Sequence, residues 1–174
     1  VNRKLSDAGA LYGIGGYNHG VSHIAEGPDG LLYINSGART DSGEAGEVPK
    51  YSTAGEAPNT ATIWRLDPND PAPADAGIHA RGLRNSYGFS WDDEKRMIAT
   101  ENRPNAHAPE ELNLIEQGKH YGFPFRYSDA TTKFYPHQPD LPAGIAVTLP
   151  FRNLGPDGGG SENGLATFDP HSCP

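Results

Sequence analysis

The sequence has little cysteine, no long hydrophobic run and no excess of basic residues. Of its 174 residues a single one is cysteine, Cys173, which excludes an internal disulfide framework. No apolar run approaches the roughly 18 residues that a transmembrane helix needs, so we expect no membrane span. The formal net charge is −8 and the Lys and Arg residues are scattered. Nucleic acid is therefore not expected as a partner, and neither is an anionic membrane surface.

Glycine and proline are abundant instead, with 22 and 16 copies. The apolar and aromatic residues fall into compact clusters between turn residues, which favours many short strands over helices. The best short helix candidate is 109–117, and 145–149 and 165–168 are predicted strands. We predict an all-β fold in a single domain over 1–174, without a separate second domain. The chain opens without Met and stops without a closing strand, so we expect it to be a piece of a longer polypeptide.

Turn residues and apolar runs alternate along the chain. Gly27-Pro28-Asp29-Gly30 forms a tight-turn motif directly before a predicted strand. A second hairpin pattern joins 89–91 to 97–100 through a polar loop. Two segments share this rhythm, which is typical of a sandwich, a barrel or propeller blades. Between them lies the polar stretch 38–60, long enough to be either a functional loop or a tolerated surface insertion.

Two histidines precede the first hairpin, His19 and His23. A neutral imidazole can accept a proton near neutral pH, so His19 is a candidate general base. The alternative is an ordinary polar loop residue. A zinc site built on the pair is disfavoured, because no helix places the two residues on one face.

Arg84-Asn85 offers a fixed cation and an amide just before an aromatic strand. Such a pair suits an anionic or carbonyl-bearing ligand. An equally acceptable interpretation is a buried arginine that ties loops together through carbonyl hydrogen bonds. Further along, Glu110, Glu111 and Asp129 supply oxygen ligands of the kind that Ca²⁺ prefers, although a solvated acidic face would have the same composition.

Four motifs then occur in a single order. They are 82–92 (GLRNSYGFSWD), 99–102 (ATEN), 111–115 (ELNLI) and 118–124 (GKHYGFP). This series resembles the family of soluble sugar dehydrogenases, aldose or sorbosone dehydrogenases, that depend on pyrroloquinoline quinone (PQQ). The opening stretch is also similar, because the family places its catalytic histidine eight residues before a Gly-Pro-Asp-Gly turn, as His19 stands to Gly27.

The resemblance implies a six-bladed β-propeller, of which this chain would cover about half. It assigns His19 as the base that takes the substrate hydroxyl proton while hydride passes to the C5 carbonyl of PQQ. Arg84 would polarise that carbonyl, and Asn85 would contact the quinone. These roles match what a protein must add to a cofactor that accepts hydride, namely proton removal and charge stabilisation.

The resemblance also implies cofactor and metal ligands. The turn Asn102-Arg103-Pro104 matches the family segment that holds PQQ and its Ca²⁺. Glu111 and the Tyr121 carbonyl match a second, structural Ca²⁺ site, with Asp129 a looser candidate. A sugar or alcohol would be the substrate, and an external acceptor such as a cytochrome or a quinone would take the electrons. The family further implies a periplasmic or extracellular location.

Three positions depart from the family pattern. Ala38 stands where some members carry Asp, which puts a contact that orients the histidine or the cofactor in doubt. Arg103 stands where Gly is frequent. Ser86 replaces a frequent Pro, and we expect no chemical consequence.

Two other functions fit the same pattern. One is a non-catalytic β-propeller module that binds a protein or carbohydrate partner, since propellers serve many functions. The other is a calcium-stabilised structural domain that would bind Ca²⁺ through Glu111 without a quinone. The joint presence of His19 and Arg84 favours the enzyme, because a binding module need not keep both.

Overall fold

A computed structural model describes residues 19–44, 55–70, 77–102, 104 and 108–154. Within these ranges the chain forms two four-stranded antiparallel sheets whose strand order follows the sequence. The first sheet contains β1 (Ile24–Glu26), β2 (Leu32–Ser36), β3 (Thr62–Leu66) and β4 (Gly77–Arg81). The second contains β5 (Phe89–Trp91), β6 (Met97–Glu101), β7 (Glu111–Ile115) and β8 (Arg152–Asn153).

The all-β prediction is confirmed, and the two segments that share a sequence rhythm are the two sheets. The described ranges contain no helix, and hence none that is long and apolar enough to cross a membrane. Each sheet is a simple meander, the arrangement of a propeller blade. The number of blades in a complete propeller stays a prediction.

Tight turns set the register of the hairpins. Gly30 has a φ of 77°, a conformation that glycine adopts without steric cost. Its amide donates to the Gly27 carbonyl at 2.9 Å, and the Asp29 carboxylate accepts from the Tyr33 hydroxyl at 3.0 Å. These contacts close the predicted turn between β1 and β2 and place Tyr33 on its buried face.

The hydrophobic core lies between the two sheets. Ile63 of β3 is fully buried, and the rings of Tyr33 and Trp91 meet edge to face with centroids 5.2 Å apart. Phe89 packs in the same way against the ring of His23, at 4.5 Å. Aromatic contacts from both sheets therefore fix how one sheet sits on the other.

The predicted helix over 109–117 is wrong, because this segment contains β7. Glu111, Asn113 and Ile115 are buried while the leucines between them are half-buried, which is the two-residue period of a strand. The polar residues on the buried face obscured that period in the sequence.

The predicted strand over 145–149 is also wrong. Val147 makes one isolated bridge to His120, and β8 at 152–153 completes the second sheet instead. Pro142 and Pro150 flank the segment and lack the amide hydrogens that a strand ladder requires. The strand predicted over 165–168 lies outside the described residues.

The fold brings several loops to one end of both sheets. His19 precedes β1 and Ala38 follows β2, while Arg84 lies between β4 and β5 and Asn102 follows β6. In an antiparallel meander, the start of one strand and the end of the next lie at the same edge. The candidate residues from distant parts of the sequence are thereby placed together.

Replacing Ile63 by Ala tests the location of the core. The substitution removes buried apolar surface and leaves a cavity, so it should lower the free energy of unfolding by about 2–5 kcal/mol. Ile24→Ala is the matched control, since Ile24 is 56% exposed and should cost less than about 0.5 kcal/mol. Denaturant titration measures both, and equal losses would contradict this packing.

Candidate functional site

His19 is held against the end of β2 by its main chain. Its amide donates to the Ala38 carbonyl at 2.7 Å. Gly37 makes this approach possible, because a Cβ at Gly37 would lie 2.5 Å from the His19 Cβ and 3.0 Å from the Gly20 carbonyl oxygen. The sequence therefore needs glycine at position 37 for the histidine loop to lie where it does.

Ala38 links the histidine to the arginine. While its carbonyl accepts from the His19 amide, its own amide donates to the Arg84 carbonyl at 2.6 Å. Ala38 is fully buried. One peptide segment therefore fixes the backbones of His19 and Arg84 relative to each other, although they are 65 residues apart in the sequence.

The guanidinium of Arg84 is buried and contacts two other loops. Its Nη1 donates to the Asn102 carbonyl at 3.0 Å, and its Nε donates to the Asp41 carbonyl at 2.8 Å. Its Nη2 forms an ion pair with the Asp41 carboxylate. Arg84 thus ties two other loops to its own through carbonyl hydrogen bonds, as the second interpretation of the sequence predicts.

The environment keeps the His19 imidazole neutral. Burial lowers its pKa to about 4, and the positive charge of Arg84 acts in the same direction. The contact with Ala38 and the negative charges of Asp41 and Glu44 offset part of this effect. His19 Nδ1 is buried without a hydrogen-bond partner among the described residues.

Asn85 and Ser86 are anchored by a buried carboxylate. Glu101 accepts from the Asn85 amide at 2.7 Å and from the Ser86 hydroxyl at 2.6 Å. A proline at position 86 could not donate this bond, so Ser86 adds a structural contact, and the expectation that it has no chemical consequence stays a prediction. Burial, reinforced by Glu111, raises the pKa of Glu101 to about 8.

A small cavity of about 20 Å³ adjoins this anchor, which is room for roughly one water molecule or one ion. Arg84 and Glu101 line it together with three of the predicted ligand residues, Asn102, Pro104 and Glu111. Tyr121, a fourth, lines it too. The side-chain oxygen of Asn102 is buried and has no hydrogen-bond partner among the described residues.

Glu111 lies directly opposite Glu101 on the neighbouring strand. Burial raises the pKa of Glu111 to about 7, partly offset by hydrogen bonds from Asn113 and the Ser128 amide. Within the described ranges no group of three or more His, Cys, Asp or Glu side chains could hold a metal. A cation here would therefore need backbone carbonyls besides the carboxylates.

Two predicted metal ligands remain, Asp129 and Arg103. Asp129 is exposed, and its carboxylate accepts from Ser128 at 3.2 Å and from Asn153 at 3.4 Å. It does not line the cavity. Arg103 lies outside the described residues.

The sequence profile described as glucose / sorbosone dehydrogenase matches residues 9–143, more than half of the chain. The chain belongs to this family. No curated protein matches it.

Several solved structures are similar to this chain. The soluble aldose sugar dehydrogenase of Escherichia coli, in its apo-form, superposes with a TM-score of 0.54 at 20% identity, over 80% of this chain and 41% of that one. The PQQ-bound aldose sugar dehydrogenase of Streptomyces coelicolor gives 0.49 at 28% identity, over 74% and 36%. The calcium structure of a Trichoderma reesei family AA12 enzyme gives 0.45 at 18%, over 69% and 35%.

Two consequences follow for this member of the glucose / sorbosone dehydrogenase family. The likeness to the Escherichia coli structure shows that the chain shares part of the fold of that β-propeller enzyme. The chain also spans well under half the length of the structures that it matches, 36% and 41% of the bacterial enzymes.

Sequence reasoning missed Asp41, Tyr135 and Glu101 as parts of this site. Asp41 belongs to the stretch 38–60. Residues 38–42 are buried, which contradicts the surface-insertion interpretation for that part. Tyr135 reaches Asp41 from a segment 94 residues away, which no local pattern reveals. Glu101 lies within the motif 99–102. A carboxylate at the end of a predicted apolar strand was the signal that could have identified it.

Gly37→Ala should displace His19. The added methyl group would overlap the His19 Cβ, so the imidazole would move toward solvent and its pKa would rise from about 4 toward the ordinary value. Gly20→Ala is the control in the same loop, because a Cβ there meets nothing within 4 Å. Histidine titration by NMR measures both variants, and an unchanged His19 pKa in Gly37→Ala would refute the close approach.

Proposed function

We propose that this chain forms part of a PQQ-dependent dehydrogenase that oxidises a sugar or alcohol hydroxyl. The observation that carries the proposal is the pairing of a neutral, half-buried imidazole with a buried guanidinium, held at one end of the sheets by the Ala38 peptide. Family membership and the ordered motifs support it. A module that only binds a partner has no need for a histidine held free of charge.

The residues present fit PQQ. The buried oxygen of Asn102 and the buried Nδ1 of His19 both lack partners among the described residues, and such orphaned polar atoms are costly unless a ligand satisfies them. His19, Arg84, Asn85 and Asn102 would hold the cofactor. Bound PQQ would supply the electrophilic carbonyl that accepts a hydride.

His19 would act as the general base. With a pKa of about 4 its imidazole is unprotonated at neutral pH, so it can accept the proton of the substrate hydroxyl. The base form would be lost only as the pH falls toward that value. Arg84 would stabilise the negative charge that develops on an oxygen beside it, which a buried cation does more strongly than one in water.

The residues also fit Ca²⁺. Glu111, opposed by Glu101 and lining a cavity of one-ion size with Asn102 and Pro104, offers carboxylate oxygens that are costly to ionise without a cation. We propose that the Tyr121 carbonyl joins Glu111 at the structural calcium, with Asp129 as a more distant candidate, and that Arg103 and Pro104 hold the calcium that accompanies PQQ. An external acceptor such as a cytochrome or a quinone would take the electrons, and we expect a periplasmic or extracellular enzyme.

Reconstitution tests the activity. The full-length protein, supplied with PQQ and Ca²⁺, should reduce an artificial electron acceptor in the presence of a sugar or alcohol. His19→Gln should lower turnover by about 10²–10⁴-fold, the usual contribution of a general base. It should leave PQQ binding, followed by the cofactor absorption spectrum, largely intact.

His23→Gln is the matched control, because the His23 ring packs on Phe89 and has no assigned chemical role. Its turnover should stay within about three-fold of the wild type. Equal losses in the two variants would remove His19 as the base, and no turnover across a broad sugar and alcohol panel would overturn the proposed activity.

Removing calcium tests the metal site. A chelator should lower the melting temperature of the protein, and added Ca²⁺ should restore it, because the ion compensates the buried carboxylates. Glu111→Gln should abolish this response, whereas Glu116→Gln, at an exposed position of the adjoining turn, should preserve it. A Glu111→Gln protein that responds to Ca²⁺ like the wild type would exclude Glu111 as a ligand.

A further inference from the structure

The departure at Ala38 removes a carboxylate from the site, but another one lies three residues further along the same segment. Asp41 is buried, with 8% of its surface exposed. It belongs to the stretch after β2, in which residues 38–42 are all buried. A carboxylate in such surroundings is costly unless it is paired and hydrogen-bonded.

Asp41 meets the guanidinium of Arg84 through both its main chain and its side chain. Arg84 Nε donates to the Asp41 carbonyl at 2.8 Å, while Nη2 pairs with Oδ1. The second carboxylate oxygen accepts from the Tyr135 hydroxyl at 3.2 Å. Asp41 thereby binds two neighbouring N–H groups of the guanidinium, Nε and Nη2, and this double contact restricts the rotation of the Arg84 side chain.

The segment around Asp41 is itself held in place. The Asp41 amide donates to the Glu44 carboxylate at 2.6 Å, and the Ser42 amide donates to the same group at 2.6 Å. Ser42 Oγ lies 2.5 Å from His137 Nε2. A second carboxylate, Glu56, accepts from the Thr40 amide at 2.9 Å. Asp41 is thus a fixed support for Arg84 rather than a mobile surface charge.

We propose that Asp41 is the positioning residue of Arg84, fixing the orientation of its guanidinium and balancing its charge in a site that lacks a carboxylate at position 38. This inference rests on the proposed function, since it concerns how Arg84 is presented to the reaction. It also assigns a role to the stretch 38–44, which carries Asp41 into the site.

The pairing has a consequence for His19. The charged groups that act on its imidazole are Arg84, Asp41 and Glu44. Arg84 lowers the His19 pKa while Asp41 raises it, so the two members of the pair act in opposite directions. Neutralising Asp41 should lower the His19 pKa further, and neutralising Arg84 should raise it. The opposite shifts would show that both members of the pair lie close enough to His19 for their charges to act on it, while the change in kcat reports the positioning of Arg84.

The first experiment compares turnover in two Asp41 variants of the full-length, PQQ-loaded protein. Asp41→Ala should lower kcat by about 10–100-fold through misplacement of Arg84, while KM changes by less than about three-fold. Asp41→Asn keeps an oxygen that can accept from Nη2 and should recover part of the lost kcat. Asp93→Asn, an exposed carboxylate in the β5–β6 turn, is the control and should match the wild type.

The second experiment is independent of turnover. Histidine titration by NMR on the cofactor-free protein should give a lower His19 pKa in Asp41→Asn and a higher one in Arg84→Gln, with Asp93→Asn unchanged. If Asp41→Ala fails to fold, because the buried Arg84 has lost the Asp41 carboxylate, the titration of Asp41→Asn still tests the inference.

The outcomes separate the inference from the proposed function. A wild-type protein that neither binds PQQ nor turns over would overturn the function, while the His19 comparison still decides whether Asp41 balances Arg84. An Asp41→Asn protein with wild-type His19 titration would overturn the inference, whatever its activity. So would an Asp41→Ala protein with wild-type kcat.

Discussion

The candidate site depends on the main chain of Ala38. Its carbonyl accepts from the His19 amide at 2.7 Å, and its amide donates to the Arg84 carbonyl at 2.6 Å. Because Ala38 lies two residues after the end of β2, the first sheet positions the backbones of both catalytic candidates. Gly37 beside it supplies the space that the histidine loop needs. Main-chain hydrogen bonds thus fix the backbone positions from which the side chains of His19 and Arg84 extend.

Buried charge distinguishes this end of the sheets. Arg84 and Asp41 form an ion pair in the interior, and Glu101 lies opposite Glu111 with the pKa of both raised by burial. Buried ionic groups contribute little to stability compared with apolar residues of similar size. Their concentration beside a small cavity and beside a neutral histidine is more characteristic of a functional site than of a stabilising core.

The sequence was informative where the pattern was local. The turn at 27–30 and the hairpin around 92–96 follow from residues with special backbone preferences, and both form as predicted. The strand β7 was mistaken for a helix because Glu111 and Asn113 occupy its buried face, where a pattern based on apolar residues expects none. A strand that carries site residues inward violates the hydrophobic alternation from which strands are recognised.

The site itself was partly accessible from the sequence. His19, Arg84, Asn85 and Asn102 were identified through ordered motifs, and the fold places all four at one end of the sheets. Asp41 and Tyr135 could not be found in this way. Asp41 contacts Arg84, which is 43 residues away in the sequence, and Tyr135 contacts Asp41, which is 94 residues away. Contacts over such distances depend on the complete path of the chain.

A crystal structure of the full-length protein with PQQ tests the central claim most directly. We predict that the cofactor lies against the side chains of His19, Arg84 and Asn102, at the end of the sheets where the Ala38 peptide holds the first two together. PQQ bound away from His19 and Arg84 would contradict the claim.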